Sequence, residues 1–110
     1  MKSLLLTVAL AVGVLGASSS AFSLSSAAPT TVVVKIANFV YTPATVTIEA
    51  GQSVEWINED SAPHTATAKG TFDSGSLEKG HTFKHTFAKA GTYAITCNFH
   101  RGMKGTVIVK

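Results

Sequence analysis

Gly91-Thr92-Tyr93-Ala94-Ile95-Thr96-Cys97-Asn98-Phe99-His100-Arg101-Gly102-Met103 reads as a β-strand that runs into a short loop. Tyr93, Ile95 and Cys97 alternate with Thr92, Ala94 and Thr96. A period of two sends successive side chains to opposite faces of a strand. Cys97 therefore shares the inward face of Tyr93 and Ile95, at the strand's end. It is the only cysteine in the chain, a histidine follows three residues later, and a methionine three after that. Taken singly, a lone Cys is usually a small buried hydrophobe and a Met is usually gap filler. The compact set of three, closing a β-patterned run, outweighs that bland reading.

The same period recurs on both sides of this stretch. Val32, Val34 and Ile36 share a face, as do Val46 and Ile48, Val54 and Trp56, and Phe83, His85 and Phe87. Val107 and Val109 close the chain. Gly51, Gly75, Gly80, Gly91 and Gly105 punctuate the runs. No window carries a helical period. Short alternating strands with regular turn signals predict an all-β sandwich, in one domain.

The N-terminus has a different character. Met1-Lys2-Ser3 is a short positive start, Leu4 to Ala17 is apolar without a charge, and Ser18-Ser19-Ser20-Ala21 follows. That is the layout of a secretory signal peptide and is too short for a comfortable membrane span. Residues 1–27 are read as this signal, cleaved after Ala21 or after Ala27, and residues 28–110 as the folded domain. No cysteine near the cleavage region offers a lipid anchor, and no twin arginine is present. The general secretory route is expected, with delivery to the periplasm or outside the cell and no stable membrane insertion after cleavage.

The formal charge is +3 over 110 residues. Taking Lys2 from nine basic residues leaves eight against six acidic ones, a net +2 for the domain. There is no basic run and no aromatic platform, so no nucleic-acid footprint. One cysteine excludes an internal disulfide. An unpaired Cys in an exported protein calls for pairing between chains, reactivity or metal ligation. Metal ligation is the most economical, because it also protects the sulfur. Thiolate, imidazole and thioether on one loop are three of the four donors of a mononuclear blue-copper site, which takes His₂Cys with a weak axial Met. The fourth must be a histidine from elsewhere. His64 in Ala62-Pro63-His64-Thr65 is the best candidate.

With those residues in view, the chain resembles the small cupredoxins, the plastocyanin, pseudoazurin and amicyanin group. The matching features run from about Val32 to Lys110. They include Phe39 with Pro43, Gly51-Gln52-Ser53-Val54-Glu55-Trp56-Ile57-Asn58, Pro63-His64-Thr65, Phe72-Asp73-Ser74-Gly75, Gly91-Thr92-Tyr93 and Gly105-Thr106-Val107-Ile108-Val109. Cys-x₂-His-x₂-Met is the amicyanin spacing. The resemblance implies a Greek-key β-sandwich with one copper ion that cycles between Cu(I) and Cu(II) in single-electron transfer. It implies His64, Cys97 and His100 as strong ligands and Met103 as the axial one. Asn58 would tie the loop before His64. The Thr65 N–H would donate to the Cys97 sulfur, and its hydroxyl would brace the loop near Asn98. Phe99 stands where plastocyanin and amicyanin have Pro, and its N–H is expected to point back at the sulfur. His100 would be the electron port of a monomer. Arg101 and Lys104 beside it suggest a redox partner with some acidic surface.

Two other classes compete. A copper-trafficking or storage protein would also be exported, but such proteins tend to carry Met- or His-rich tracts, and this chain has two Met and four His. An oxidase or nitrite reductase needs further copper on additional histidines. Only His81 and His85 remain, and neither makes a cluster. His81 reads as a solvated turn residue and His85 as partly buried packing. Trp56 reads as core, and Asp73 and Ser74 as a turn. Zinc seldom takes a thioether.

Overall fold

The computed structural model describes residues 30–110, so the expected signal segment lies outside the described residues. Nine strands follow in order: β1 (Thr31–Ala37), β2 (Val40–Thr42), β3 (Thr45–Ile48), β4 (Ser53–Asn58), β5 (Thr67–Ala68), β6 (Phe72–Asp73), β7 (Thr82–Thr86), β8 (Gly91–Thr96) and β9 (Lys104–Val109). They form two sheets, of order β2-β1-β4-β7 and β3-β9-β8-β5-β6. The pairs β1/β4 and β3/β9 are parallel and the others antiparallel. No helix of the described residues is long and apolar enough to cross a membrane.

Alternation decides which residues lie between the sheets. Val34 and Ile36 of β1 and Val54 and Trp56 of β4 are buried from one side, and Val46, Ile48, Ile95, Val107 and Val109 from the other. Each such side chain contributes about 1.5–3 kcal/mol when fully buried. Trp56 is core, as its strand position predicts, and packs near Phe72 and Phe83 at centroid distances of 5.8 and 6.2 Å. Phe72 stacks on His85 at 4.2 Å, so His85 is indeed partly buried packing.

Three features place the functional end. The last residues of β1, β4 and β8 run to one pole. There β8 and β9 pair up to Thr96 and Lys104, so Cys97 to Met103 spans the mouth of a hairpin. The β1–β2 connection is a two-residue turn, with Asn38 at φ 55° and Phe39 at φ 63°. Paired positive φ values match the right-handed strand twist but favour Asn-Gly, so a Phe in the second place is strained. Gly105 is a correction to the sequence reading. It lies inside β9 rather than at a turn, because a Cβ there would meet the Ala44 carbonyl oxygen at 3.0 Å and Tyr41 Cδ2 at 3.3 Å. Glycine inside a strand often marks such a close approach.

Candidate metal centre

The spacing Cys-x₂-His-x₂-Met is the spacing of two linked turns. The His100 N–H donates to the Cys97 carbonyl at 3.4 Å, and the Met103 N–H donates to the His100 carbonyl at 3.0 Å. The Cys97 N–H in turn donates to the Met103 carbonyl at 3.4 Å, which closes the loop on itself. Residues three apart are thus tied directly, and their side chains are presented from a short, fixed backbone. Cys97 and Met103 are each only 3% exposed, while His100 is half-buried.

His64 comes from the long connection between β4 and β5. It forms an isolated bridge with Leu77, its N–H on the Leu77 carbonyl at 3.1 Å and the return bond at 2.7 Å. Asn58 holds the loop in front of it. The buried Asn58 amide donates to the carbonyls of Ala62 (2.9 Å) and Leu77 (2.7 Å), and its oxygen accepts the Asp60 N–H (2.8 Å). A buried amide with its donors and its oxygen engaged fixes one loop path.

The result is a cluster of donors. Ligand atoms of His64, Cys97 and His100 all lie within 4.8 Å of one another. Cys97 Sγ is 3.8 Å from His64 Nδ1, and the two imidazole centroids are 4.9 Å apart. One ion with bonds of about 2.0 Å to nitrogen and about 2.3 Å to sulfur fits between such a pair. His100 Nε2 is buried with no hydrogen-bond partner among the described residues. Leaving a buried polar atom unmet costs roughly 1–3 kcal/mol, and a bound cation would satisfy it. Soft sulfur with imidazole suits copper.

Around the sulfur, Thr65 does what its position suggested. Its N–H lies 3.4 Å from Cys97 Sγ, and its Oγ1 accepts the Asn98 N–H at 2.9 Å. Tyr41 Oη donates to the Thr65 carbonyl at 2.6 Å, and burial pushes the Tyr41 phenol well above its ordinary range. Asn98 is held from the other side by Asp73 Oδ2 at 2.9 Å, and Ser74 Oγ accepts the Ala66 N–H at 2.8 Å; Asp73 closes strand β6 rather than sitting in a turn, and Ser74 follows it. Phe99 differs from expectation. Its N–H makes no hydrogen bond to the sulfur among the described residues. The turn closes on the Cys97 carbonyl through the His100 N–H instead, and Phe99 is left 51% exposed.

Two residues of this pole carried no functional signal in the sequence. Asp60 Oδ2 lies 2.9 Å from His64 Nε2 and accepts the Phe39 N–H at 3.0 Å, while Oδ1 accepts the Asn38 N–H at 2.8 Å. The Phe39 N–H above all, helped by the Asn38 N–H and His64, holds the Asp60 carboxyl below its usual range against burial, which pushes it up. The Phe39 ring stands edge-on to both imidazoles, 4.9 Å from His64 and 4.7 Å from His100. An acidic residue four before a histidine in a loop is weak evidence, and nothing local shows that the β1–β2 turn reaches them. His81 is exposed at a turn, its Nδ1 accepting the Glu78 N–H at 3.3 Å, apart from the cluster.

Known proteins resemble this chain over most of its length. A family model described as a cupredoxin-like domain matches residues 6–109. Amicyanin of Paracoccus denitrificans is 30% identical over 99 residues, which is 84% of this chain and 76% of that protein. Plastocyanin of Scenedesmus fuscus is 35% identical over 85 residues, 64% of this chain and 87% of that protein. The crystal structure of amicyanin from Paracoccus versutus superimposes with a TM-score of 0.66 at 36% identity, covering 72% of this chain and 80% of that one.

Proposed function

The chain belongs to the cupredoxin-like domain family, and from that premise we propose that it is an exported type 1 copper protein that carries single electrons between redox partners. His64, Cys97 and His100 would hold the ion, with Met103 as the weak axial donor. Bound there, copper supplies one-electron cycling between Cu(I) and Cu(II). The observation that carries the reading is the meeting of the Cys97 sulfur and the His64 and His100 imidazoles at one pole, where His100 Nε2 is buried without a partner among the described residues.

The chain's own residues account for the rest. The linked turns and the Leu77 bridge fix the donors by backbone bonds, so one geometry serves both oxidation states and reorganisation stays small. The Thr65 N–H stabilises negative charge on the sulfur. Such bonds to a ligand tune how readily a metal site takes an electron. His100 is the half-exposed donor, which makes it the port for a docked partner. Arg101 and Lys104 are exposed beside it and favour an acidic partner surface. Four protein donors leave no position for a substrate, so the reading is a carrier and not an enzyme. Residues 1–27 would deliver the domain, residues 28–110, to the periplasm or outside the cell as a monomer.

An optical spectrum of the exported, copper-loaded protein with a potentiometric titration tests this. An intense visible thiolate-to-Cu(II) band and reversible cycling are expected. Colourless Cu(I) binding, with release to a chelator, would instead establish a trafficking or storage protein.

A further inference from the structure

Asp60 has more bonds than a loop carboxylate needs. Its two oxygens take the backbone N–H groups of Asn38 and Phe39 and face His64 Nε2, all between 2.8 and 3.0 Å. Its side chain is only 15% exposed, and His64 is fully buried. Those contacts join two parts of the molecule that the chain separates, the β1–β2 turn and the loop before β5. The turn is strained, since Asn38 and Phe39 both have positive φ. That conformation also brings the Phe39 ring edge-on to both imidazoles.

An ionised carboxylate only accepts hydrogen bonds. Both Asp60 oxygens accept backbone N–H groups, which are the partners of an ionised carboxylate. A neutral His64 must then carry its proton on Nε2. Nδ1 is left with a free lone pair, and Nδ1 is the nitrogen 3.8 Å from the Cys97 sulfur.

We propose that Asp60 is a positioning residue that sets the His64 tautomer and ring angle through Nε2 and, with the same carboxylate, pins the Asn38-Phe39 turn so that Phe39 covers both imidazoles. The donor set is therefore arranged before a metal arrives. The copper-dependent part of this rests on the function proposed above. The carboxylate also makes His64 a more basic donor, which favours Cu(II) over Cu(I).

The test uses the full folded domain in metal-free and copper-loaded forms, with Asp60→Asn and Asp60→Ala. In the metal-free wild type, long-range ¹H–¹⁵N NMR of labelled histidine should show neutral His64 as the Nε2–H tautomer alone. Asp60→Ala should give a mixture and should disperse the Phe39 ring signals. An Nδ1–H tautomer in the wild type, or an unchanged tautomer in Asp60→Ala, overturns the proposal. In the loaded protein, Asp60→Ala should lose about 10–100-fold in Cu(II) affinity, the usual effect of removing such a partner. Asp60→Asn keeps the size and one acceptor oxygen, so a purely mechanical role would leave its reduction potential unchanged. A raised potential in Asp60→Asn supports the proposal, and a wild-type potential overturns the electrostatic role. Should Asp60→Ala not fold, the wild-type tautomer and the Asp60→Asn potential still decide. If the wild type binds no copper, the carrier reading fails, while the metal-free NMR result still decides the role of Asp60.

Discussion

At the scale of single residues, the four proposed donors would differ in what they contribute. Thiolate-to-Cu(II) charge transfer makes the intense colour, and a serine oxygen cannot replace it. Cys97→Ser should abolish the visible band completely while the β-sheet circular dichroism persists. A variant that stays blue would remove Cys97 from the site. As the proposed axial donor, Met103 would bind weakly, so Met103→Gln should keep copper but lower the potential. An unchanged potential in a redox titration would argue against Met103 as a ligand. The meeting of His64, Cys97 and His100 was legible in the sequence, because Cys97, His100 and Met103 lie at turn spacing and Pro63-His64-Thr65 supplies a further imidazole. Even the Thr65 bonds to the sulfur and to Asn98 are those that the resemblance implied. Asp60 was not legible. Its partners Asn38 and Phe39 lie 22 and 21 residues away, and only the folded β1–β2 turn brings them together. The direction of the Phe99 N–H was misjudged for a related reason: which N–H points back depends on which carbonyl the turn closes on.

At the scale of elements, alternation was enough for the longer strands. It failed for β2, β5 and β6, where two or three residues are too few to show a period. It also misplaced Gly105, since a glycine at a turn and a glycine under a crossing backbone look alike in one dimension. The β1–β2 turn gives a test with an inverted order. Alanine normally stabilises relative to glycine by reducing freedom in the unfolded chain, by about 0.4–1 kcal/mol. At Phe39, with φ 63°, an alanine keeps the left-handed strain of about 1–2 kcal/mol and glycine does not. Phe39→Gly should therefore be more stable than Phe39→Ala in urea unfolding of the metal-free protein. The opposite order would mean that the turn is not held in this conformation in solution. Gly105→Ala forces a Cβ against the Ala44 carbonyl oxygen and should cost about 1–3 kcal/mol, the usual range for overpacking.

At the scale of the whole molecule, acid should destabilise the metal-free protein in two separate windows. His85 lies between Phe72, stacked at 4.2 Å, and Phe87 at 4.7 Å, and burial lowers its basicity below the ordinary value. The folded state thus binds this proton less readily than the unfolded chain, whose His titrates near about 6.5. Its stabilising contribution is complete above that pH and is lost as pH falls through the lower folded value. Asp73 works at lower pH. The Gly75 N–H at 2.8 Å, then the Asn98 amide at 2.9 Å, hold its carboxyl below the usual range of about 3.9. Stability from this group is present above about pH 4 and disappears as pH falls through the folded value. Because Asp73 bonds Asn98, its protonation should loosen the loop from Cys97 to Met103 first. The melting temperature should therefore decline gently below about pH 6.5 and more steeply below about pH 4. His85→Phe should flatten the first decline alone, and Asp73→Asn should reduce the second without abolishing it, since the Asp60 carboxyl, held low by the Phe39 N–H, adds to that window. Amide hydrogen exchange of the wild type near pH 3.5 should show Asn98 and its neighbours opening ahead of β4 and β8. If each variant keeps the wild-type slope in its own window, the bonds to Asp73 and the burial of His85 do not set the acid response.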